Sequence, residues 1–274
     1  MRGSSNRSWT ATVPLLAVAT LVFGLPLAVL LGGSLIRDGS FSGQNVAESL
    51  QGAYRTALIG SVKLSAVVAI VGAVLGTFLA YAVVTSRYQA LREAVLTASG
   101  VLANFGGVPL AFAWIATLGN AGVITTRLDL TWWNLYSFWG LALVYLYFSI
   151  PLMVLVVVPA LDGLKPQWRE AAQNTGASTW QFWRWVGIPV LTPAILGGVV
   201  LLFGGAFAAY ATAYAMVGAT VPLVTLQIAD ALTGNVLVGH ENVALALSLD
   251  MIVIAGIVMA VYLPLQRRSA RWLQ

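Results

Sequence analysis

The sequence predicts an all-α membrane protein: six transmembrane helices, with a pair of short cytoplasmic helices between the fourth and the fifth. Three observations predict it. Of 274 residues, 59% are hydrophobic and only 8% charged, where a soluble domain carries about a quarter charged residues. Apolar runs recur at the length of roughly 20 residues that crosses hydrocarbon as a helix. The polar residues are gathered into short segments between those runs. Lipid offers the backbone no hydrogen-bond partners, so only helices or closed barrels cross it. The runs lack the alternation of a barrel strand, which leaves helices.

Taken in order, the spans fall at Ala11–Ile36, Thr56–Val84, Val95–Leu118, Tyr136–Leu161, Leu191–Val217 and Val243–Leu263. One membrane domain thus covers residues 11–263, between tails at 1–10 and 264–274. The first run follows Arg2 and Arg7 and continues to Ile36 without a small-residue cleavage site, so it reads as a retained anchor helix rather than a signal peptide. Basic residues set the orientation. One set of segments holds Arg2, Arg7, Arg87, Arg92, Lys165, Arg169, Arg184, Arg267, Arg268 and Arg271, and the other only Arg37, Arg55 and Arg127. Both termini are therefore expected in the cytoplasm, with the segment from Leu164 to Pro193.

The net charge of +5 is spread over these clusters, a topological pattern rather than a nucleic-acid-binding one. The chain has no cysteine, which removes disulfides, iron–sulfur clusters and thiol chemistry. Arg37 to Arg55 is rich in Gly, Ser and Gln, with a helix expected after Ser42. Trp132, Trp133, Tyr136 and Trp139 mark the start of the fourth span as headgroup-level aromatics, and Trp9 and Trp272 read the same way. In the third span the run Asn104-Phe105-Gly106-Gly107-Val108-Pro109 should kink or break the helix, because Pro109 lacks an N–H and crowds the preceding turn. Either a packing kink or a translocation-path element accounts for it. No phosphate-cradling G-x-x-x-x-G-K-[ST] loop, paired carboxylates or Ser/His/Asp set is present, and His240, the one histidine, falls in an outer loop.

Two ionisable residues lie inside spans, Lys63 in the second and Asp250 in the sixth, at similar depth. Charges in hydrocarbon mark a pathway or a partner, so the two are expected to form an interhelical pair, or Asp250 to face a polar cavity. Phe203, Phe207, Tyr210 and Tyr214 are spaced by four, three and four residues, which places them on one helical face. Such a stripe is either packing surface or an attractor for an organic cation.

The segment from Leu164 to Pro193 carries the strongest signal. Pro166 suits a first helical turn, Gln167 to Asn174 follow as helix, and Gly176 allows a turn without a Cβ penalty. Ser178 is the N-cap of a second helix through Trp185, ended by Gly187 and Pro189. With Trp180, Phe182, Trp183 and Trp185 on it, such a pair is either a membrane-surface element or a helix for a partner's groove. Glu170-Ala171-Ala172, Gly176 after a gap of three, and Val186-Gly187-Ile188-Pro189 further on resemble the EAA signature of the permeases of ATP-binding-cassette (ABC) importers of type I. The family writes it as E-A-A, three residues, G, nine residues, I-x-L-P; Val186 and Ile188 stand as conservative replacements. Within that class the N-F-G-G-V-P-L-A run is closest to polyamine, ferric-ion and sulfate-type permeases.

The resemblance implies a transport subunit and not an enzyme, with ATP and magnesium bound by separate ATPase subunits and no cofactor on this chain. It implies a coupling element at Glu170, Ala171, Ala172, Gly176, Trp180 and Trp183, within helices at about 164–190, seated in an ATPase cleft. Expected partners are an ATPase dimer, a second permease subunit (identical or related), an extracytoplasmic binding protein and membrane lipid, at the cell membrane. The expected substrate path includes Asn104, Pro109, Phe207, Tyr210, Tyr214, Lys63 and Asp250, for a small polar solute, with polyamine or a similar organic cation in first place. The rivals are an ion-gradient-driven transporter using Lys63 and Asp250, which predicts inverted repeats that the sequence does not show, and a structural subunit of a membrane complex.

Overall fold

A computed structural model describes residues 13–37, 40–130, 132–233 and 241–270. The described chain is helical apart from one short hairpin, β1 (Ile36–Arg37) against β2 (Ser40–Phe41), paired antiparallel with Ile36 opposite Phe41. The helices are α1 (Val13–Ser34), α2 (Gln44–Ser49), α3 (Gly52–Thr85), α4 (Gln89–Leu102), α5 (Gly107–Leu118), α6 (Val123–Arg127), α7 (Phe138–Asp162), α8 (Pro166–Asn174), α9 (Thr179–Ala208), α10 (Ala211–Met216), α11 (Val224–Leu232) and α12 (Glu241–Ala270). Six stretches are long and apolar enough to cross a membrane: α1, α3, Gly107–Arg127, α7, α9 and Asn242–Gln266 within α12.

The spans match the sequence reading at four positions and depart from it at two. The third was expected at Val95–Leu118, but the helix stops after Leu102 and restarts at Gly107. Gly106 is extended (φ −131°, ψ −164°) and Gly107 has φ +75°. A side chain in that left-handed region would be strained. Pro109 therefore sits in the first turn of α5, where its missing N–H costs nothing, and α4 becomes a separate helix. The fifth span was expected at Leu191–Val217. Instead α9 begins at Thr179, ends at Ala208, and gives way to α10 after an extended Ala209 (φ −69°, ψ 117°).

The chain divides into two compact units, one from the described parts of Met1–Thr56 and Gln227–Val253, the other from those of Ala57–Leu226 and Ile254–Gln274. In the first, the fully buried Asn45 side chain donates to the carbonyls of Ser34 (3.3 Å) and Ile36 (3.0 Å), tying α2 to the end of α1. Ser49 Oγ donates to Asp250 Oδ2 at 2.7 Å. Gly33 abuts Leu245 so closely that an added Cβ would lie 2.2 Å from its Cδ1.

In the second unit α7 is the central element. Met153, wholly buried, fills the notches left by Gly76 on α3 and Gly198 on α9, where an added Cβ would meet it at 2.5 and 2.4 Å. Lipid tails are as apolar as the helix surfaces, so association there rests on this close approach at small residues. Two buried clusters follow. One joins Leu64, Val68, Leu110, Leu141 and Tyr145 to Leu223 and Leu226, and the other joins Ala69, Ala73, Val154 and Val157 to Leu191 and Leu202.

Both π-helical turns have the same cause. Thr20–Gly24 precedes Pro26, and Trp183–Gly187 precedes Pro189, each ending two residues before the ring. A proline collides with the carbonyl four residues back, and one widened turn relieves that collision without ending the helix. Gly187 and Pro189 therefore do not end the second helix of the pair, contrary to the expectation from sequence; it runs unbroken through α9.

Candidate functional site

Two helix breaks from distant parts of the chain meet in the second unit. Gly107, at the start of α5, donates its N–H to Thr212 Oγ1 at 2.9 Å, and the same hydroxyl lies 3.2 Å from Gly107 O, which it can donate to. Thr212, in α10, is 3% exposed. On the other side of the second break, the carbonyl of Ala209, freed where α9 ends, accepts from Tyr145 Oη at 3.1 Å and from Thr225 Oγ1 at 3.4 Å. A bare backbone group at membrane depth costs several kcal/mol, so these hydroxyls make the breaks tolerable.

Between the breaks lies a cavity of about 280 Å³ lined by Ala103, Asn104, Gly106, Gly107, Phe148 and the run Ala209 to Thr212. It falls just below the usual range of ligand sites, about 300–1,000 Å³. No charged residue lines it. The exposed polar edge comes from Asn104, whose Nδ2 donates to Gly100 O at 2.9 Å, and from the half-exposed Tyr210.

The structure thus brings Asn104 and Tyr210 together and adds Gly106, Gly107, Phe148, Ala209 and Thr212. Pro109 stands in the first turn of α5, outside the lining. The aromatic stripe is divided by the break: Phe207 is 4% exposed and stacks on Phe203 at 5.5 Å, while Tyr210 and Tyr214 pair with each other at 5.3 Å. Lys63 is exposed on α3. Asp250 belongs to the other unit, where Ser49 holds its carboxylate.

The second candidate element is the α8–α9 hairpin. Its turn is made by Gly176 at φ +77°. A reciprocal capping box starts α9: Ser178 Oγ accepts from Gln181 N at 3.2 Å, and Ser178 N donates to Gln181 Oε1 at 2.7 Å. Glu170 and Ala171 are exposed, Ala172 is half-buried, and Trp180 is 67% exposed. Trp183 turns inward and packs edge-on against Tyr81 at 5.4 Å. The hairpin therefore presents an acid, two small residues and one large aromatic to the outside, while Trp183 and the 7%-exposed Phe182 fasten it to the helices beneath.

No family model matches the chain. It is 41% identical over 68 residues to the sulfate transport system permease protein CysT of Escherichia coli, a match covering 25% of this chain and 24% of that one. It is 29% identical over 152 residues to the molybdenum transport system permease protein ModB of the same organism, covering 54% of this chain and 65% of that one. A probable sulfate permease of Marchantia polymorpha is 28% identical over 170 residues, 58% of this chain and 55% of that one. The chain thus spans from a quarter to about two thirds of the length of these relatives, all of them named as permeases and none as an enzyme. Among solved structures, a bacterial ABC transporter that imports the acidic polysaccharide alginate superimposes with a TM-score of 0.74 over 96% of both chains at 19% identity. That transporter is also known in complex with a periplasmic protein carrying an alginate pentasaccharide, with the same overlap.

Proposed function

From a chain that has the fold of an ABC importer's membrane subunit and shares sequence with sulfate and molybdenum permeases, we propose that it is the transmembrane permease subunit of such an importer, carrying a small oxyanion. The observation that carries the substrate class is the agreement between those relatives and the cavity. Its lining holds hydroxyl, amide and backbone groups and no carboxylate. A carboxylate there would repel an oxyanion at close range in a low dielectric. The organic-cation reading has less support, because the aromatic stripe is split at Ala209 and these relatives are named for sulfate and molybdenum.

In this reading the breaks at Ala103–Gly106 and Ala209–Tyr210 form part of the path. Two ATPase subunits, binding ATP and magnesium, engage Glu170, Ala171, Ala172, Gly176 and Trp180 on the hairpin. A second permease subunit completes the path, and an extracytoplasmic protein delivers the solute. Both termini lie in the cytoplasm, and this chain contributes alternating access rather than covalent chemistry.

The test is uptake into proteoliposomes containing the chain with its ATPase and binding protein, using radiolabelled sulfate, molybdate and spermidine in parallel. ATP-dependent accumulation of an oxyanion, undiminished by excess spermidine, is the expected result. Spermidine uptake instead would restore the cation reading, and uptake driven by an ion gradient without ATP would overturn the importer assignment.

A further inference from the structure

Two cavities lie side by side where α3, α7, α8 and α9 converge. The larger, about 380 Å³, is apolar, with Phe78, Leu191 and Ile195 among its walls. The smaller, about 250 Å³, carries Lys165 and Arg169. Tyr81, Leu161 and Trp183 line both, so the two form one continuous groove with a greasy half and a basic half. No acid lines either half. Asp162, three residues before Lys165, is taken by Arg92, and among the described residues Lys165 and Arg169 have no carboxylate partner.

We propose that this groove binds an anionic phospholipid, with an acyl chain along Phe78 and Ile195 and the phosphate against Lys165 and Arg169. The polarity runs the right way for a lipid: apolar toward the middle of α3, basic toward its Thr85 end. Trp185, 71% exposed with the Arg184 guanidinium 5.7 Å from its ring centroid, is an amphipathic aromatic of the kind found at headgroup depth. Basic pockets between helices at a membrane face recognise lipid phosphates in this way. The proposal depends on the chain lying in a membrane and not on the importer reading. It makes the α8–α9 hairpin sensitive to lipid charge, because Arg169 is the neighbour of Glu170 and Trp183 anchors the hairpin from inside the groove.

The test is native mass spectrometry of the purified chain after incubation with an equimolar mixture of phosphatidylglycerol and phosphatidylcholine. Wild type should retain one phosphatidylglycerol in preference. Lys165→Gln with Arg169→Gln should lower that preference by roughly fivefold per charge removed. Ile195→Trp, which fills the apolar half and leaves the charges alone, should lower retention of both lipids. Monodisperse elution of each variant separates lost binding from lost folding. Equal retention of the two lipids by wild type, or an undiminished preference in the charge variant, overturns the proposal. So does a photo-crosslinker at Phe78 that captures a protein segment instead of lipid.

Discussion

Thr212 concentrates the residue-scale argument, because one hydroxyl joins two helix breaks that lie 105 residues apart in sequence. Thr212→Val keeps the shape and removes the bond, leaving the Gly107 N–H unsatisfied. A buried orphan of this kind costs about 1–3 kcal/mol. Thermal unfolding in detergent should therefore move down, and solute uptake should fall further than the folded fraction does. Gly107→Ala places a Cβ at φ +75°, a strain of about 1–2 kcal/mol, and should lower the melting temperature, while Gly100→Ala, in open space inside α4, should hold or raise it. Tyr145→Phe strips the stronger donor from the Ala209 carbonyl and should loosen the end of α9, read as faster backbone amide exchange from Phe207 to Ala211. These partners were not legible in the sequence. Gly106-Gly107 and Pro109 announce a break, but nothing in Ala208-Ala209-Tyr210-Ala211 does. That break is held by Tyr145, on another helix, and tertiary bonds of this kind override local helix propensity.

At the scale of elements, the hairpin was the most legible part of the chain. Its turn residue, its N-cap and the helix before it all follow from local chemistry: Pro166 at a helix start, Gly176 at positive φ, Ser178 three residues before Gln181. The continuation past Pro189 was not, because proline reads as a stop unless a widened turn precedes it, and such a turn leaves no mark of its own in the sequence. Ser178→Ala should cost about 1 kcal/mol of local stability through the lost cap. Co-purification of the ATPase should weaken, and Ser178→Asp, which can still cap, should restore it. Glu170→Lys with Trp180→Ala should abolish co-purification while the chain stays folded, since both side chains are exposed. Equal capture of the ATPase by this variant would remove the hairpin from the coupling role.

For the molecule as a whole, six apolar stretches and the charge bias predict a topology that the absence of cysteine makes simple to check. A single Gln44→Cys should react with a membrane-impermeant maleimide in intact spheroplasts, and a single Gln173→Cys only in inverted vesicles. The reverse pattern would turn the chain over and place the hairpin outside. Spans were legible because composition and length determine them. Depth and charge led to the expectation of a Lys63–Asp250 pair, or of Asp250 at a polar cavity, but depth leaves the direction of a side chain around its helix unspecified. The Ser49 contact with Asp250, within one unit, could not be read from it.

The continuity of α9 has a mechanical meaning. Its 30 residues run about 45 Å, from the exposed hairpin at one end to the rim of the cavity beside Ala209 at the other. In the proposed transport role, a thrust delivered at Trp180 would travel to Ala208 along one continuous helix, through the widened turn at Trp183–Gly187. Severing it midway, as Leu201→Pro should, would leave the motor turning and the cargo still, with ATP consumed at the wild-type rate and nothing carried across.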